Sequence, residues 1–333
     1  MRALVFTRYG GPDQVAFADV PRPQPKPGEV LVQVHAAGLN QVDIKFRNGE
    51  MKAILRPELP ATLGSDLAGL VVEVGRGVTR FKPGDAVFAS VFGLRAGTLA
   101  EFAVVPESAA AMKPTRLDFA QAASIPMVSL TAWQALKERV HVKPGDKVFI
   151  PAGAGGIGTF AIQLAKHLGA EVATTTSAGN AELVRSLGAD EVIDYKRQNV
   201  EDVLRDYDVV LGTVPGESLE KAIQILAPKG TVISLVGPPD AAFGQAQGLN
   251  ALVVFVMGLL SRKVRRLARK RDASYSFLFV HPDGGQLAAI GELLEAGTIR
   301  PVIDKVFPFD QAKEALAYLE QGRAKGKIVV QIR

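Results

Sequence analysis

The 333-residue chain contains no cysteine. That absence excludes disulfides, thiolate metal sites and a cysteine nucleophile. It also fits a reducing compartment, so a cytoplasmic protein is expected. Histidine is nearly as scarce: His35, His141, His167 and His281 are scattered and form no i, i+4 pair, so no metal is expected. No G-x-S-x-G elbow occurs, and Ser124, Ser129 and Ser234 have no visible histidine partner, which leaves nucleophilic catalysis without support. Long apolar runs are missing too. The best candidate lies in "LNALVVFVMGLLSRKVRRLARKR" and holds about 12 apolar residues, too few for a membrane span. The opening "MRALVFTRYGG" lacks a long apolar core and a small-residue cleavage site, so no secretory signal is expected.

Charge of one sign is concentrated rather than general. The segment 262–271, "RKVRRLARKR", holds Arg262, Lys263, Arg265, Arg266, Arg269, Lys270 and Arg271. These seven cations exceed the whole net charge of +5, so the rest of the chain is slightly acidic. Nucleic acid is therefore not an expected partner. With its apolar neighbour, the stretch 249–271 reads first as a lid-like helical insertion whose cationic face is in water. A peripheral membrane contact through 249–271 is the second reading.

What is present is ordinary globular composition, 47% hydrophobic and 22% charged, which argues against disorder. The length suits two domains better than one core. Up to about residue 120 the chain is rich in short β-like runs such as "EVLVQVHAAGL", "LAGLVVEVG" and "DAVFAS". A Lys-Pro-Gly-acid phrase recurs at Lys26–Glu29, Lys82–Asp85 and Lys143–Asp146, each time before an apolar strand. It reads as a turn feeding a strand. Beyond residue 120, strands "KVFIPA", "AEVATTT", "EVIDY", "YDVVLGT", "GTVISLVG" and "SYSFLFV" alternate with helical stretches. That alternation predicts a doubly wound parallel sheet. The last β-rich piece is expected to rejoin the first domain.

Between the first two of those strands, Gly153, Gly155 and Gly158 satisfy G-x-G-x-x-G. The pattern is weak alone, but here it follows an apolar strand and opens an amphipathic helix. Residues Gly153, Ala154, Gly155, Gly156, Ile157 and Gly158 would then receive a dinucleotide pyrophosphate on free N–H groups at the helix start. An NAD site usually places Asp or Glu at the end of the second strand. Here that strand ends Thr174-Thr175-Thr176-Ser177, with no acid until Glu182. Ser177 and Asn180 could donate to a 2′-phosphate, with Arg185 or Lys196 adding positive charge, so NADPH is the expected cofactor.

Together with "PKPGEVLVQVHAAGLNQVDIKFRNG", "LPATLGSDLAGLVVEVG", "FKPGDAVFA", "SLTAWQAL", "LGADEVIDY" and the ending "GRAKGKIVVQIR", the turn resembles a known family. It is the zinc-independent medium-chain dehydrogenases/reductases, in their quinone and enone oxidoreductase branch. The stretches run in family order from residue 25 to the C-terminus. The resemblance implies an α/β chain: a GroES-like β-rich catalytic domain over 1–121 and 298–333, and a Rossmann NADP-binding domain over 122–297. It also implies a cofactor cleft between the domains and, in many relatives, a homodimer. By motif position it implies Asn40 near nicotinamide and substrate, Thr131 lining the cofactor, and Tyr195 beside the adenosine phosphate with Ser177. Leu235, Val236, Gly237 and Phe279 would border the nicotinamide, and Lys327 would approach the cofactor. Zinc-dependent relatives have Gly-His-Glu where this chain has Gly64-Ser65-Asp66, so a metal-free reaction follows.

An enone reductase needs a donor for the charge that develops on the carbonyl oxygen. Asn40 or Lys45 could supply it, although a helix cap at Asn40 or Asp43 and a solvated Lys45 explain the same residues. Asp66 reads as structural. The expected activity is NADPH-dependent, zinc-free reduction of a small-molecule quinone or α,β-unsaturated carbonyl. A 2-enoyl thioester reductase is the enzymatic alternative, and a dinucleotide-binding regulatory or structural protein the non-enzymatic one.

Overall fold

All three Lys-Pro-Gly-acid phrases fold as one kind of turn. The backbone N–H of Lys26, Lys82 and Lys143 donates to the carboxylate of Glu29, Asp85 and Asp146, at 2.9, 2.9 and 2.8 Å. Proline presets the second turn position, and Gly28, Gly84 and Gly145 take φ of 79°, 96° and 89° at the third. Each turn then releases the chain into a strand.

The computed structural model describes residues 1–52, 55–94 and 97–333. Among them the contacts divide the chain into two compact units, Met1–Leu130 with His281–Arg333, and Thr131–Val280. The N-terminal strands are β1 (Arg2–Phe6), β2 (Val15–Asp19), β3 (Glu29–Leu39), β4 (Ala61–Thr62), β5 (Asp66–Val74), β6 (Ala86–Ser90), β7 (Phe102–Pro106) and β8 (Ala110–Met112). Helix α1 (Gln41–Asn48) follows β3 directly, and α2 (Phe119–Ala123) and α3 (Pro126–Trp133) come after β8. Alternation along β3 and β6 buries Val30, Val32, Val34, Val87 and Ala89 in one apolar cluster.

The second unit alternates strand and helix as its hydrophobic pattern predicts. Its strands are β9 (Lys147–Ile150), β10 (Glu171–Thr176), β11 (Glu191–Asp194), β12 (Tyr207–Gly212), β13 (Leu226–Ser234) and β14 (Ser274–Phe277). The helices are α4 (Gly156–His167), α5 (Ala181–Ser186), α6 (Val200–Val203), α7 (Glu217–Gln224), α8 (Ala241–Ala246), α9 (Ala251–Leu260) and α10 (Arg262–Lys270). All six strands pair parallel, in the order β11-β10-β9-β12-β13-β14. The direction of winding reverses beside β9, where a doubly wound sheet opens its ligand crevice. Phe149, Ala173, Val210 and Val232, from four neighbouring strands, meet Leu219 and Val264 from the helices in the core.

The chain then returns through α11 (Gly284–Glu295), β15 (Ile303–Pro308), α12 (Ala312–Glu320) and β16 (Lys327–Gln331). Helix α11 was expected in the Rossmann domain, within 122–297. It belongs instead with the first unit, where Gly284 lies so close to the chain that an added Cβ would be 2.2 Å from the Ala110 carbonyl oxygen. The Thr115 N–H and hydroxyl also reach the Glu295 carboxylate, at 2.6 and 2.5 Å. Strand β16 pairs antiparallel with β3 and closes a seven-stranded sheet of order β15-β16-β3-β5-β6-β8, with β7 also on β3. Its register sets Ile328 opposite Leu39, and β5 sets Asp66 opposite Gly38. Those two pairings bring Lys327, Asn40 and Asp66 to one place.

Candidate functional site

The glycine turn lies between β9 and α4, and packing explains two of its three glycines. A Cβ on Gly153 would fall 2.1 Å from Thr174 Oγ1, and one on Gly158 would fall 2.6 Å from both Ala152 O and Gly153 Cα. At Gly155 the nearest atom would be Ala152 O at 3.3 Å, with nothing else within 4 Å. Internal packing therefore demands Gly153 and Gly158, while Gly155 leaves backbone open to an approaching ligand. Gly155, Gly156 and Ile157 are half-buried; the Gly155 N–H donates to Ala152 O at 2.9 Å, and Gly156 and Ile157 start the helix, where N–H groups attract an anion. Ala152 holds a left-handed φ of 53°, a strain that the turn maintains just before the first glycine.

Most of the other residues expected at a nucleotide site follow the C-terminal ends of the parallel strands. Ser177 comes directly after β10, and Asn180 Nδ2 lies 3.4 Å from its Oγ. Tyr195 follows β11 and is 60% exposed, free to cover a ligand. Leu235, Val236 and Gly237 follow β13 and are half-buried; the Gly237 N–H donates to Ser234 Oγ at 2.8 Å. Phe279 is two residues beyond β14, its ring 6.0 Å from that of Phe243. Thr131 is buried in α3. Arg185 and Lys196 are exposed. The sheet thus gathers Gly153–Gly158, Ser177, Tyr195, Leu235–Gly237 and Phe279 along one edge, and that edge carries no acid at the end of β10. Such a surface fits a dinucleotide with a 2′-phosphate.

In the first unit a buried polar cluster forms where β3, β5 and β16 meet α1. The Asn40 backbone N–H donates to Asp43 Oδ2 at 2.8 Å, completing a capping box at the start of α1. Asn40 Nδ2 donates to Ser65 Oγ at 3.0 Å and to Asp66 Oδ2 at 2.9 Å. Both oxygens of Asp66 accept from the Met127 N–H at 3.1 Å. Lys327 Nζ donates to Leu39 O at 2.7 Å and to Asn40 Oδ1, and lies 3.8 Å from Asp66 Oδ2. Burial pushes the Asp43 carboxyl up to about 7, raises Asp66 and lowers Lys327. The Asp66–Lys327 attraction opposes both of the latter shifts.

Beside this cluster is a cavity of about 560 Å³. Asp43 and Ser65 give it polar wall, while Phe46, Leu55, Phe92 and Leu94 give apolar wall. Its size suits a small organic molecule. Asn40 has both amide N–H bonds committed to Ser65 and Asp66, so its influence on the cavity passes through Ser65. Lys45 is exposed and is not brought to the cluster, because α1 buries Asp43, Ile44 and Arg47 on its other face. Lys327 directs its ammonium to Leu39, Asn40 and Asp66. Ser65 escaped notice in sequence because its partner Asn40 lies 25 residues away, whereas Asp66 reads as structural there and is held by Asn40 and Met127 here. The one signal was a carboxylate heading the otherwise apolar strand "DLAGLVV".

The donor set does not fit zinc. The chain has no cysteine, and the described residues include no group of three or more His, Asp and Glu able to hold a metal. Ser65 and Asp66, where zinc-dependent relatives have His-Glu, are bonded within the chain: Ser65 accepts from Asn40, and Asp66 accepts from Asn40 and Met127 beside the Lys327 ammonium.

Comparison with known proteins agrees with both halves of this arrangement. Residues 26–115 match the alcohol dehydrogenase GroES-like domain, 122–225 the C-terminal domain of alanine dehydrogenase/PNT, and 187–330 the zinc-binding dehydrogenase family. The chain is 37% identical to the mitochondrial NAD(P)H oxidoreductase RTN4IP1 of Danio rerio, over 100% of this chain and 91% of that protein. It is 36% identical to the chloroplastic NADPH-dependent alkenal/one oxidoreductase of Arabidopsis thaliana, over 99% and 79%. Among solved structures, the quinone oxidoreductase from Coxiella burnetii superposes with a TM-score of 0.85 at 30% identity, covering 100% and 99% of the two chains. The cytoplasmic expectation is corrected by these relatives, which are mitochondrial and chloroplastic proteins; absence of cysteine reports redox-inert composition and not an address. A GroES-like unit, a parallel dinucleotide-binding sheet and full-length identity of this degree lead to one assignment: the chain belongs to the medium-chain dehydrogenase/reductase family of oxidoreductases.

Proposed function

We propose that the chain is an NADPH-dependent reductase of quinones or of the C=C bond of α,β-unsaturated carbonyls, working without a metal. The carrying observation is the glycine turn, open at Gly155, on a strand edge where β10 ends in Ser177 without an acid. The relatives named for NAD(P)H, alkenal/one and quinone chemistry support the same reading. When bound, NADPH supplies the hydride. The turn N–H groups hold the pyrophosphate, and Ser177 and Asn180 donate to the 2′-phosphate, with Tyr195 beside it.

The cavity next to Asn40 takes the acceptor. Its apolar wall suits a conjugated molecule, and Ser65, Thr62, Arg56 and the Asp43 carboxyl are among the polar groups on its wall for an oxygen that gains charge. Asn40 and Lys327 position Ser65 and Asp66 rather than touch the acceptor. A conjugated acceptor spreads its developing charge, so a few hydrogen bonds suffice. A simple alcohol would need a Lewis acid to stabilise its alkoxide, and the residues here supply none. A homodimer is a further part of the proposal, supported by β14, which pairs only with β13 and leaves one edge of the six-stranded sheet open among the described residues.

NADPH absorbance tests this directly. Short enones or benzoquinone should oxidise NADPH, ethanol-like alcohols should give negligible turnover, and NADH should bind much more weakly. Ser177→Asp should narrow or reverse the cofactor gap through repulsion of the 2′-phosphate. Equal affinity for NADH and NADPH, or turnover of alcohols alone, would overturn the assignment.

A further inference from the structure

Residues 241–271 contain no aspartate or glutamate, yet they hold seven lysines and arginines. The two helices at the end of this stretch present their unusual side chains outward. In α9 Met257 is the buried residue, while Leu252, Phe255 and Leu260 are 72%, 64% and 62% exposed and Leu259 about as open. Asn250 caps the helix by accepting from the Val253 N–H at 3.0 Å, so it is a formed helix and not a loose apolar loop. Ser261 joins α9 to α10, its buried hydroxyl donating to Met257 O at 2.8 Å. Helix α10 turns Val264 and Ala268 into the sheet core and leaves Arg262, Arg266, Arg269 and Lys270 exposed.

Two of the seven cations have partners within the chain. Lys263 Nζ lies 2.5 Å from Glu220 Oε1, and Arg271 donates to Leu226 O at 3.3 Å. The four exposed ones in α10 have no acidic partner among the described residues. Along α8 and α9 an open groove of about 630 Å³ is lined by Ala241, Leu249, Val254, Phe255 and Leu259. Exposed leucine and phenylalanine next to unpaired arginine is a surface built for two phases at once. A second copy is a poor occupant, because a two-fold interface sets the same patch against itself. It would bring one acid-free cationic helix towards another.

We propose that α9 and α10 dock this chain on an anionic phospholipid surface. Helix α9 places Leu252, Phe255, Leu259 and Leu260 at the headgroup–acyl boundary, the groove accepts an acyl segment, and the α10 cations meet lipid phosphates. Docking is peripheral, since no helix among the described residues is long and apolar enough to cross a membrane. It is independent of the proposed reaction, and binding can be read without turnover.

The test is co-sedimentation of the full chain with phosphatidylcholine vesicles, with and without phosphatidylglycerol. Binding should require phosphatidylglycerol and weaken as salt rises. Arg266→Gln with Arg269→Gln should lower the partition coefficient by roughly thirtyfold, the size expected of two basic residues at an anionic surface. Leu252→Gln with Leu260→Gln should abolish binding. Independently, a tryptophan introduced by Phe255→Trp should shift its emission to shorter wavelength when anionic vesicles are added. Absence of sedimentation with phosphatidylglycerol, or an unshifted emission, overturns the proposal. So does light scattering in which the Leu252/Leu260 variant splits a dimer while the parent leaves vesicles unbound. A fall in kcat/KM for the acceptor without any vesicle binding in the parent would make α9 a lid, and would equally sink it.

Discussion

Asp43 is a carboxylate that the fold buries. It is 4% exposed, caps α1 through the Asn40 N–H and forms part of the cavity wall, and burial pushes its carboxyl up to about 7 from 3.8. A folded value above the unfolded one means that, between those limits, the folded chain holds a proton that the unfolded chain has released. Stability from this group is therefore full below pH 3.8 and falls as pH rises towards about 7. The slope for one proton is about 1.4 kcal/mol per pH unit. Asp66 pushes the same way and Lys327 the opposite way, so the difference between parent and variant is the useful quantity. Asp43→Asn keeps an acceptor for the Asn40 N–H and should flatten the pH dependence of the urea midpoint over this window. Parallel curves for parent and variant would show that Asp43 titrates near its ordinary value.

At the scale of elements, the strand–turn–helix from β9 to α4 separates packing from binding. Gly158 lets α4 approach the turn; a methyl there would meet backbone at 2.6 Å, which cannot move aside as a flexible side chain can. Gly158→Ala should lower stability by about 1–3 kcal/mol, the cost of overpacking a tight contact. Gly155 has only one neighbour, at 3.3 Å, and its φ of −81° suits any residue. Gly155→Ala should leave the thermal midpoint nearly unchanged and weaken NADPH binding, read by fluorescence titration, because its methyl occupies the approach of the pyrophosphate. If the two variants lose stability equally and bind NADPH alike, the turn is a packing device only.

At the scale of the whole molecule, Ser65 and Asp66, which stand where zinc-dependent relatives have His-Glu, are bonded to the chain itself. Strands β3, β5 and β16 converge there, and the Lys327 ammonium stands beside Asp66 in a position from which a cation would have to displace it. Exhaustive chelation should therefore leave NADPH-dependent turnover intact, and elemental analysis of the purified protein should find far less than one zinc per chain. Activity lost on chelation and restored by zinc alone would contradict the metal-free reading.

The parallel sheet and its glycine turn were legible because their signals are local. A strand of β-branched and aromatic residues, a glycine spacing and a 3.6-residue period act within about twenty residues, where backbone geometry and burial of one face decide the outcome. The grouping of Ser177, Tyr195, Leu235–Gly237 and Phe279 at one end of the sheet followed from the same logic, since residues just past parallel strands share that end. Sequence spacing could not assemble the cluster of Asn40, Asp43, Ser65, Asp66 and Lys327, whose members come from three strands and a helix separated by most of the chain. Only antiparallel register, Leu39 against Ile328 and Gly38 against Asp66, brought Lys327 to Asp66 and Asn40. The placement of α11 was also decided by tertiary contact, through the close approach of Gly284 to Ala110. Composition and local pattern thus determined the class of cofactor surface, and long-range pairing decided which polar groups stand at the acceptor cavity.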